Sequence, residues 1–401
     1  MAITAQLHFG RAAGRNDTVS RASVTENAIV KGWCPGAHRP MMSGDGLVVR
    51  VRPFRGTLSP EQVRALCDMA RRFGNSTLDL TSRANLQIRG VTEADHIALL
   101  AALEARGLLD CDPDLEGRRN VLTAPDWQPG GLTDRLCDKL LQTLPNLPSL
   151  PEKMGYALDT GAAARLAAGS ADFRFELDES CGLILRADGA QMGRHVDESD
   201  AMAALREMVA WFIDTGGRGA GRMARHLREV SLPEAWQTIP PRSPAQALAP
   251  GRAENGLILG APFGSLPADA LDAAIQMPDV TELRLMLGRL IWLRGTKAHG
   301  ASGFLSNPGS ALLTAHACPG APLCPQATVE TRVLAERLAG RVDGSLHVSG
   351  CAKGCAWPRR ADVTLTGRNG RFDLVRRGAP WDEPTATGLH PDDLPDLTGL
   401  T

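Results

Sequence analysis

Residues 317–326 read A-C-P-G-A-P-L-C-P-Q and residues 347–358 read H-V-S-G-C-A-K-G-C-A-W-P. Cys318 and Cys324 have five residues between them, Cys351 and Cys355 have three, and a helical run joins the two pairs. Glycine and proline surround both pairs, whereas thiols buried as small apolar groups have no need of such turns. The four therefore read as ligands of one metal centre. Structural zinc prefers shorter Cys-x-Cys gaps of about two to four residues, and disulfides belong to oxidising compartments. A cubane iron–sulfur cluster tolerates wider spacing and fits better, with zinc as the alternative. Pro319 and Pro325 fix the chain direction after two of the ligands. Gly320, Gly350 and Gly354 let backbone N–H groups approach the cluster sulfurs.

Outward from this stretch the chain is long enough, at 401 residues, for two or three domains. Its 44 Lys+Arg balance 45 Asp+Glu. With no polybasic run, nucleic acid is not an expected partner. No apolar run spans a membrane, and M-A-I-T-A-Q-L-H-F-G-R lacks the pattern of a secretory signal. A soluble cytoplasmic protein is the expectation. The other five cysteines, Cys34, Cys67, Cys111, Cys137 and Cys181, are scattered and read as free thiols. Cys67 lies in the helical run E-Q-V-R-A-L-C-D-M-A and is expected in the core.

Residues 1–30 show no periodicity and read as a loose arm. The turn-rich stretch K-G-W-C-P-G-A-H-R-P-M-M-S-G-D-G (31–46) suits a loop lining a cavity, where His38 and Asp45 are weak ligand candidates. From there the pattern sharpens. L-V-V-R-V-R (47–52), T-L-D-L-T-S (77–82) and N-L-Q-I-R-G (85–90) alternate as strands. Ser59 and Pro60 open a helix running to about Phe73, and a second helix is expected over 93–106. This β-α-β-β-α order is that of a ferredoxin-like half-domain. It recurs in G-L-I-L-G-A-P (256–262), P-A-D-A-L-D-A-A-I (267–275), T-E-L-R-L-M-L (281–287) and R-L-I-W-L-R-G (289–295).

The expected fold is α+β: duplicated ferredoxin-like half-domains paired about a pseudo-twofold axis, with two larger α/β domains for cluster and substrate. The expected divisions are an arm and first half-domain (1–110), a first α/β domain (111–247), a second half-domain (248–300), and a cluster domain with an irregular tail (301–401). P-P-R-S-P-A-Q-A-L-A-P (240–250) reads as a linker.

Arginines recur on the strands and turns of both repeats. Arg50, Arg52, Arg83, Arg89 and Arg119 fall in the first unit and the turn L-E-G-R-R-N-V beyond it; Arg284, Arg289 and Arg294 fall in the second. Singly, each reads as a solvated strand face. Together, guanidinium forks suit a ligand bearing several carboxylates, such as a tetrapyrrole with acetate and propionate arms. Lys153 in L-P-E-K-M-G precedes a strand and can point into the same cavity.

The paired cysteines, the duplicated half-domain, T-S-R-A-N-L-Q and R-N-V together resemble the sulfite/nitrite reductase superfamily over residues 31–375. Within it, C-P-G-A-H-R-P-M-M-S-G-D-G-L-V-V-R-V-R-P, A-C-P-G-A-P-L-C and L-H-V-S-G-C-A-K-G-C-A-W-P are similar to the precorrin-3B synthases. That resemblance implies an oxidoreductase of aerobic cobalamin biosynthesis, a monooxygenase that uses O2 to hydroxylate precorrin-3A at a meso carbon with lactone formation. It implies a [4Fe-4S] cluster on Cys318, Cys324, Cys351 and Cys355, and a mononuclear non-haem iron in place of sirohaem. It also implies an electron-donor protein drawing on external NADH, since no G-x-G-x-x-G fingerprint follows a strand here.

Arg50, Arg52, Arg83, Arg89 and Arg119 are then the expected carboxylate clamp. The iron ligands are not legible; His38, Asp45 and Asn85 are candidates by position only, and with Lys153 they are the weak candidates for a catalytic role. Sirohaem reductases carry Leu-Pro-x-Lys-Phe-Lys, with two lysines on the anionic substrate; here Gly155 stands where the second would be. M-L-G-R-L-I-W (286–292) also departs from the family's Thr-Pro-Trp-Arg-like wording. The competing expectations are a sirohaem sulfite or nitrite reductase, and a non-enzymatic iron–sulfur carrier.

Overall fold

Alternation in L-V-V-R-V-R gives the strand Gly46–Val51, whose Leu47, Val49 and Val51 enter the core. This computed structural model describes residues 35–396. The arm read over 1–30 and Cys34 lie outside the described residues. The first ferredoxin-like sheet runs Met41–Ser43, Gly46–Val51, Leu86–Val91, Thr77–Leu80, Ser265–Pro267. The second runs Gly251–Ala253, Gly256–Gly260, Leu290–Arg294, Glu282–Met286, Thr57–Leu58. Each repeat thus lends its edge strand to the other: Ser265–Pro267 pairs with Thr77–Asp79, and Thr57–Leu58 with Leu283–Arg284. The exchange builds the pseudo-twofold arrangement.

Helix Pro60–Phe73 starts as its sequence directs. Ser59 caps the Gln62 N–H and the Gln62 side chain answers on the Ser59 N–H, with Pro60 at the first position. Val63, Leu66, Cys67, Ala70 and Phe73 face inward. Burial pushes the Cys67 thiol up to about 12, as suits a core thiol. The helix lies beside its counterpart Ala268–Ile275, and Arg71 bridges to Asp269 and Asp272 at 2.9 and 3.0 Å. One apolar core serves both repeats, joining Leu78 and Ile88 to Leu259 and Ile291. The helix expected over 93–106 is shorter, His96–Glu104, because the Thr92 hydroxyl bonds Asp95 in a turn ahead of it.

The two larger sheets share one topology: three parallel strands, then two antiparallel ones. The first is Val121–Thr123, Tyr156–Asp159, Phe173–Leu177, Leu183–Ala187, Arg194–His195. The second is Ala315–Ala317, Leu346–Ser349, Ala361–Arg368, Arg371–Gly378, Ala386–Leu389. Helices Leu132–Thr143 and Ala201–Asp214 cover one face of the first, and Arg332–Ala339 covers one face of the second.

One expectation needs correction. The tail supplies a fifth strand, Ala386–Leu389, because Ala386, Leu389 and Leu394 reach the cluster-sheet core. Stretch 240–250 is irregular and joins the first α/β sheet to the second repeat, packing along that sheet on the way: Arg242 N–H bonds Leu177 O at 2.8 Å and Ala245 N–H bonds Ala164 O at 3.0 Å. No helix among the described residues is long and apolar enough to cross a membrane.

Candidate metal centre and active site

Strands Ala315–Ala317 and Leu346–Ser349 run parallel and release their loops at the same end. Cys318 follows the first directly and Cys351 follows the second after Gly350. The Gly350 N–H donates to Cys318 Sγ at 3.2 Å, the backbone-to-sulfur contact a cluster uses to tune its charge. Cys318 is buried, Cys324 and Cys351 are half-buried, and Cys355 keeps accessible surface. Protein nonetheless surrounds most of the Cys355 thiol; this burial, with Cys318, Cys351 and Cys324 nearby, pushes it up to about 11. The same causes raise Cys351. The four thiols thus share one electrostatic neighbourhood. A cubane places each thiolate on a separate iron, and four cysteines in the loops after two parallel strands, with a backbone N–H donated to one sulfur, fit that donor set.

The first cysteine loop is docked by the first repeat. Gly44 approaches so closely that a Cβ there would lie 2.5 Å from Pro322 O. The Gly44 N–H, the Ser43 hydroxyl and Arg89 Nη2 all donate to Leu323 O, at 3.2, 2.8 and 3.0 Å. Arg89 itself closes on Asp45 at 2.8 Å, and Asn75 also donates to Asp45. Arg89 and Asp45 therefore hold the cluster loop against the hairpin.

The other expected clamp residues separate into two groups. Glu116, 1% exposed, lies between Arg52 and Arg119 at 2.6 and 2.7 Å. Arg119 adds Asp110 at 2.6 Å and stacks on Phe54 at 3.9 Å. A guanidinium already matched to a buried carboxylate gains little from another, so Arg52 and Arg119 form an internal network. Arg83 behaves differently. Its Nη2 donates to Lys153 O at 2.7 Å and Ser170 Oγ at 3.1 Å, tying the turn T-S-R-A-N to L-P-E-K-M-G. Arg83 and Asn85 line a cavity of about 330 Å³ between the repeats, walled by Leu122, Leu166, Leu287 and the 245–250 stretch. The four cysteines do not line that cavity. Arg50 is buried on the strand beside Arg89. Arg284 pairs with Glu282 at 2.7 Å and covers Trp127, and Arg294 covers Trp292.

The weak iron candidates do not assemble. His38 Nε2 bonds Asp110 O at 2.7 Å, Asp45 is held by Arg89, and Asn85 lines the cavity, which neither His38 nor Asp45 does. As a trio they do not fit a mononuclear iron.

Two residues that the sequence reading passed over stand beside the cysteine loops. His316 and His347 are cross-strand partners two and four residues before Cys318 and Cys351. His316 stacks on Trp357 with centroids 4.0 Å apart. Arg289, at φ 63°, donates to Leu313 O and Ala315 O at 2.6 and 2.7 Å, bracing the strand that carries His316. Burial, then Arg289, His347 and Arg359, lower His316 to about 3; burial lowers His347 to about 4. The available signal was a histidine in each strand leading to a cysteine loop.

Residues 39–106 match the family described as the Nitrite/Sulfite reductase ferredoxin-like half domain. The chain is 30% identical to a precorrin-3B synthase of Sinorhizobium sp, over 90% of this chain and 86% of that protein. It is 24% identical to a ferredoxin–nitrite reductase of Synechococcus elongatus, over 91% and 87%. The NirA protein of Mycobacterium tuberculosis has the same fold, with a TM-score of 0.63 over 88% of this chain and 79% of that one at 18% identity. The chain belongs to the precorrin-3B synthase family of the sulfite/nitrite reductase superfamily, a lineage of oxidoreductases.

Proposed function

We propose that this protein converts precorrin-3A to precorrin-3B, hydroxylating a meso carbon and closing a lactone before ring contraction in aerobic cobalamin biosynthesis. One oxygen atom of O2 enters the product and the other leaves as water, with two electrons drawn from external NADH through a donor protein and two protons, one released from NADH and one from solvent. The observation that carries this reading is Gly155. A Cβ there would lie 2.7 Å from Asn120 O, so the backbone itself leaves no room for the second lysine that holds a small anion. Lys153 remains alone, and neutral O2 needs no paired cations.

In this reading Arg83 and Arg50 receive the carboxylate arms of the macrocycle. Arg52, Arg89 and Arg119 hold the walls. Cys318, Cys324, Cys351 and Cys355 hold a [4Fe-4S] cluster, which supplies one-electron transfer. The protein contributes placement and charge. Retention of Lys153 supports a second reading, a sirohaem-dependent nitrite or sulfite reductase.

The test is turnover of precorrin-3A with labelled O2 by protein purified without air. One labelled oxygen in the product is expected, and a product without label overturns the monooxygenase. An intense Soret band from a tightly bound chromophore would favour the second reading.

A further inference from the structure

The cluster sheet has two faces. Ala315, Ala317, Leu346, Val348, Val363 and Leu365 pack beneath helix Arg332–Ala339. The opposite face carries the row His316, His347, Thr364, in register across three parallel strands. His347 has no accessible surface, and neither ring nitrogen has a hydrogen-bond partner among the described residues. A buried imidazole has one donor and one acceptor to satisfy, and leaving both unmet costs free energy that native proteins rarely concede. Thr364 does not meet the need, because its hydroxyl donates to Gly378 O at 2.7 Å. The neighbour across the ladder is a second histidine, its ring held in place by the Trp357 stack.

The first α/β sheet shows what this row looks like without such a demand. Its matching positions are Leu122, Ala157 and Arg174. Leu122 and Ala157 form a small apolar cluster with Leu166 and Ala171. Where that row is not apolar, at Arg174, the guanidinium is hydrogen-bonded within the protein; at the positions of Leu122 and Ala157 the cluster sheet places two imidazoles.

We propose that His316 and His347 are the protein's ligands for a divalent transition metal, seated against the cluster sheet beside the cysteine loops. Neutral imidazoles on adjacent strands suit iron, cobalt or zinc. Two protein ligands leave coordination positions for water or substrate. Arg289 and Arg359, both near His316, oppose a bare cation. The net negative charge of a cluster on four thiolates offsets them. As the iron of the oxygenation, the site rests on the function proposed above; as a metal site it stands on the histidines alone.

The experiment uses the full chain with its cluster intact, stripped of weakly held metal by a mild chelator and titrated with Co2+. The wild type should bind one Co2+ per chain beyond the cluster iron, with d–d bands of nitrogen ligation. His347→Leu and His316→Leu should each weaken Co2+ by at least about 10-fold, while cluster absorbance and acid-labile sulfide stay constant. His347→Gln and His316→Gln serve where a leucine variant fails to fold. His38→Ala should bind like the wild type. The proposal is overturned if the wild type binds no Co2+, or if variants at both histidines bind it undiminished with the cluster in place. Precorrin-3A turnover is scored separately. Co2+ binding at the pair without turnover sinks the proposed function and keeps the site; turnover with Co2+ binding indifferent to both histidines does the reverse.

Discussion

The two α/β sheets have the same strand order and opposite chemistry on one face. In the first sheet Arg174 is fully buried and saturated: it donates to Glu176 and Asp188 at 2.9 and 3.1 Å, and to the carbonyls of Gly169 and Leu166. In the cluster sheet the matching position is Thr364, with His347 unpartnered beside it. One copy of the architecture spends this face on stability. The other leaves it chemically unfinished next to four cysteines. A duplicated fold can divide labour in this way because the shared core of the half-domains supports both sheets.

The largest effect should separate the sheets outright. Cys351→Ser is expected to abolish cluster iron, acid-labile sulfide and turnover. Cys137→Ser, a buried thiol under the first sheet, should leave iron and sulfide unchanged; equal loss in both would erase the distinction. Next comes Arg174→Ala, which empties a fully buried site and removes one of the two guanidinium partners of Glu176, Arg186 remaining; it should destabilise by about 2–4 kcal/mol in urea unfolding. Burial works to raise the Glu176 pKa, but Arg186 and Arg174 outweigh it and hold the group below its ordinary 4.5. Its contribution is therefore complete above pH 4.5 and disappears as pH falls through the lower folded value. The gap between wild type and Arg174→Ala should narrow over that acid range, as urea midpoints at successive pH values would reveal.

Gly155→Ala should cost about 1–3 kcal/mol, because the added Cβ meets the Asn120 carbonyl. A neutral result would mean that the backbone there yields, and that a lysine was avoidable by choice rather than by space. The smallest effect is expected at Thr364→Val, about 1 kcal/mol for one lost hydrogen bond. A loss matching that of Arg174→Ala would make the cluster sheet as tightly built as its twin.

The half-domains were legible because their information is local. Alternation marks Gly46–Val51 and Leu290–Arg294, and S-P-E-Q writes a capping box in four letters. The cysteine spacing marked four thiols as a group, and the loops after two parallel strands carry them. The arginines were harder. Their pattern is visible, but the acids that occupy them come from elsewhere: Glu116 closes on Arg52 across 64 positions, and Asp45 on Arg89 across 44. Nothing local marks such pairs. The strand Ala386–Leu389 was hidden by its Pro- and Asp-rich flanks. His316 and His347 passed unnoticed because one histidine in an apolar strand is ordinarily a packed residue, and only the ladder brings the two together.

The exchanged edge strands set a timetable for the newborn chain. Thr77–Leu80 leaves the ribosome early, yet its neighbour Ser265–Pro267 is made about 190 residues later. At roughly 5–20 residues per second, the first sheet waits on the order of 10–40 s with an open edge. An open edge invites pairing with other chains, and helix Pro60–Phe73 waits as long for Ala268–Ile275. Biogenesis of this protein is thus most exposed in mid-translation, and fragments ending before residue 265 should aggregate where the full chain does not.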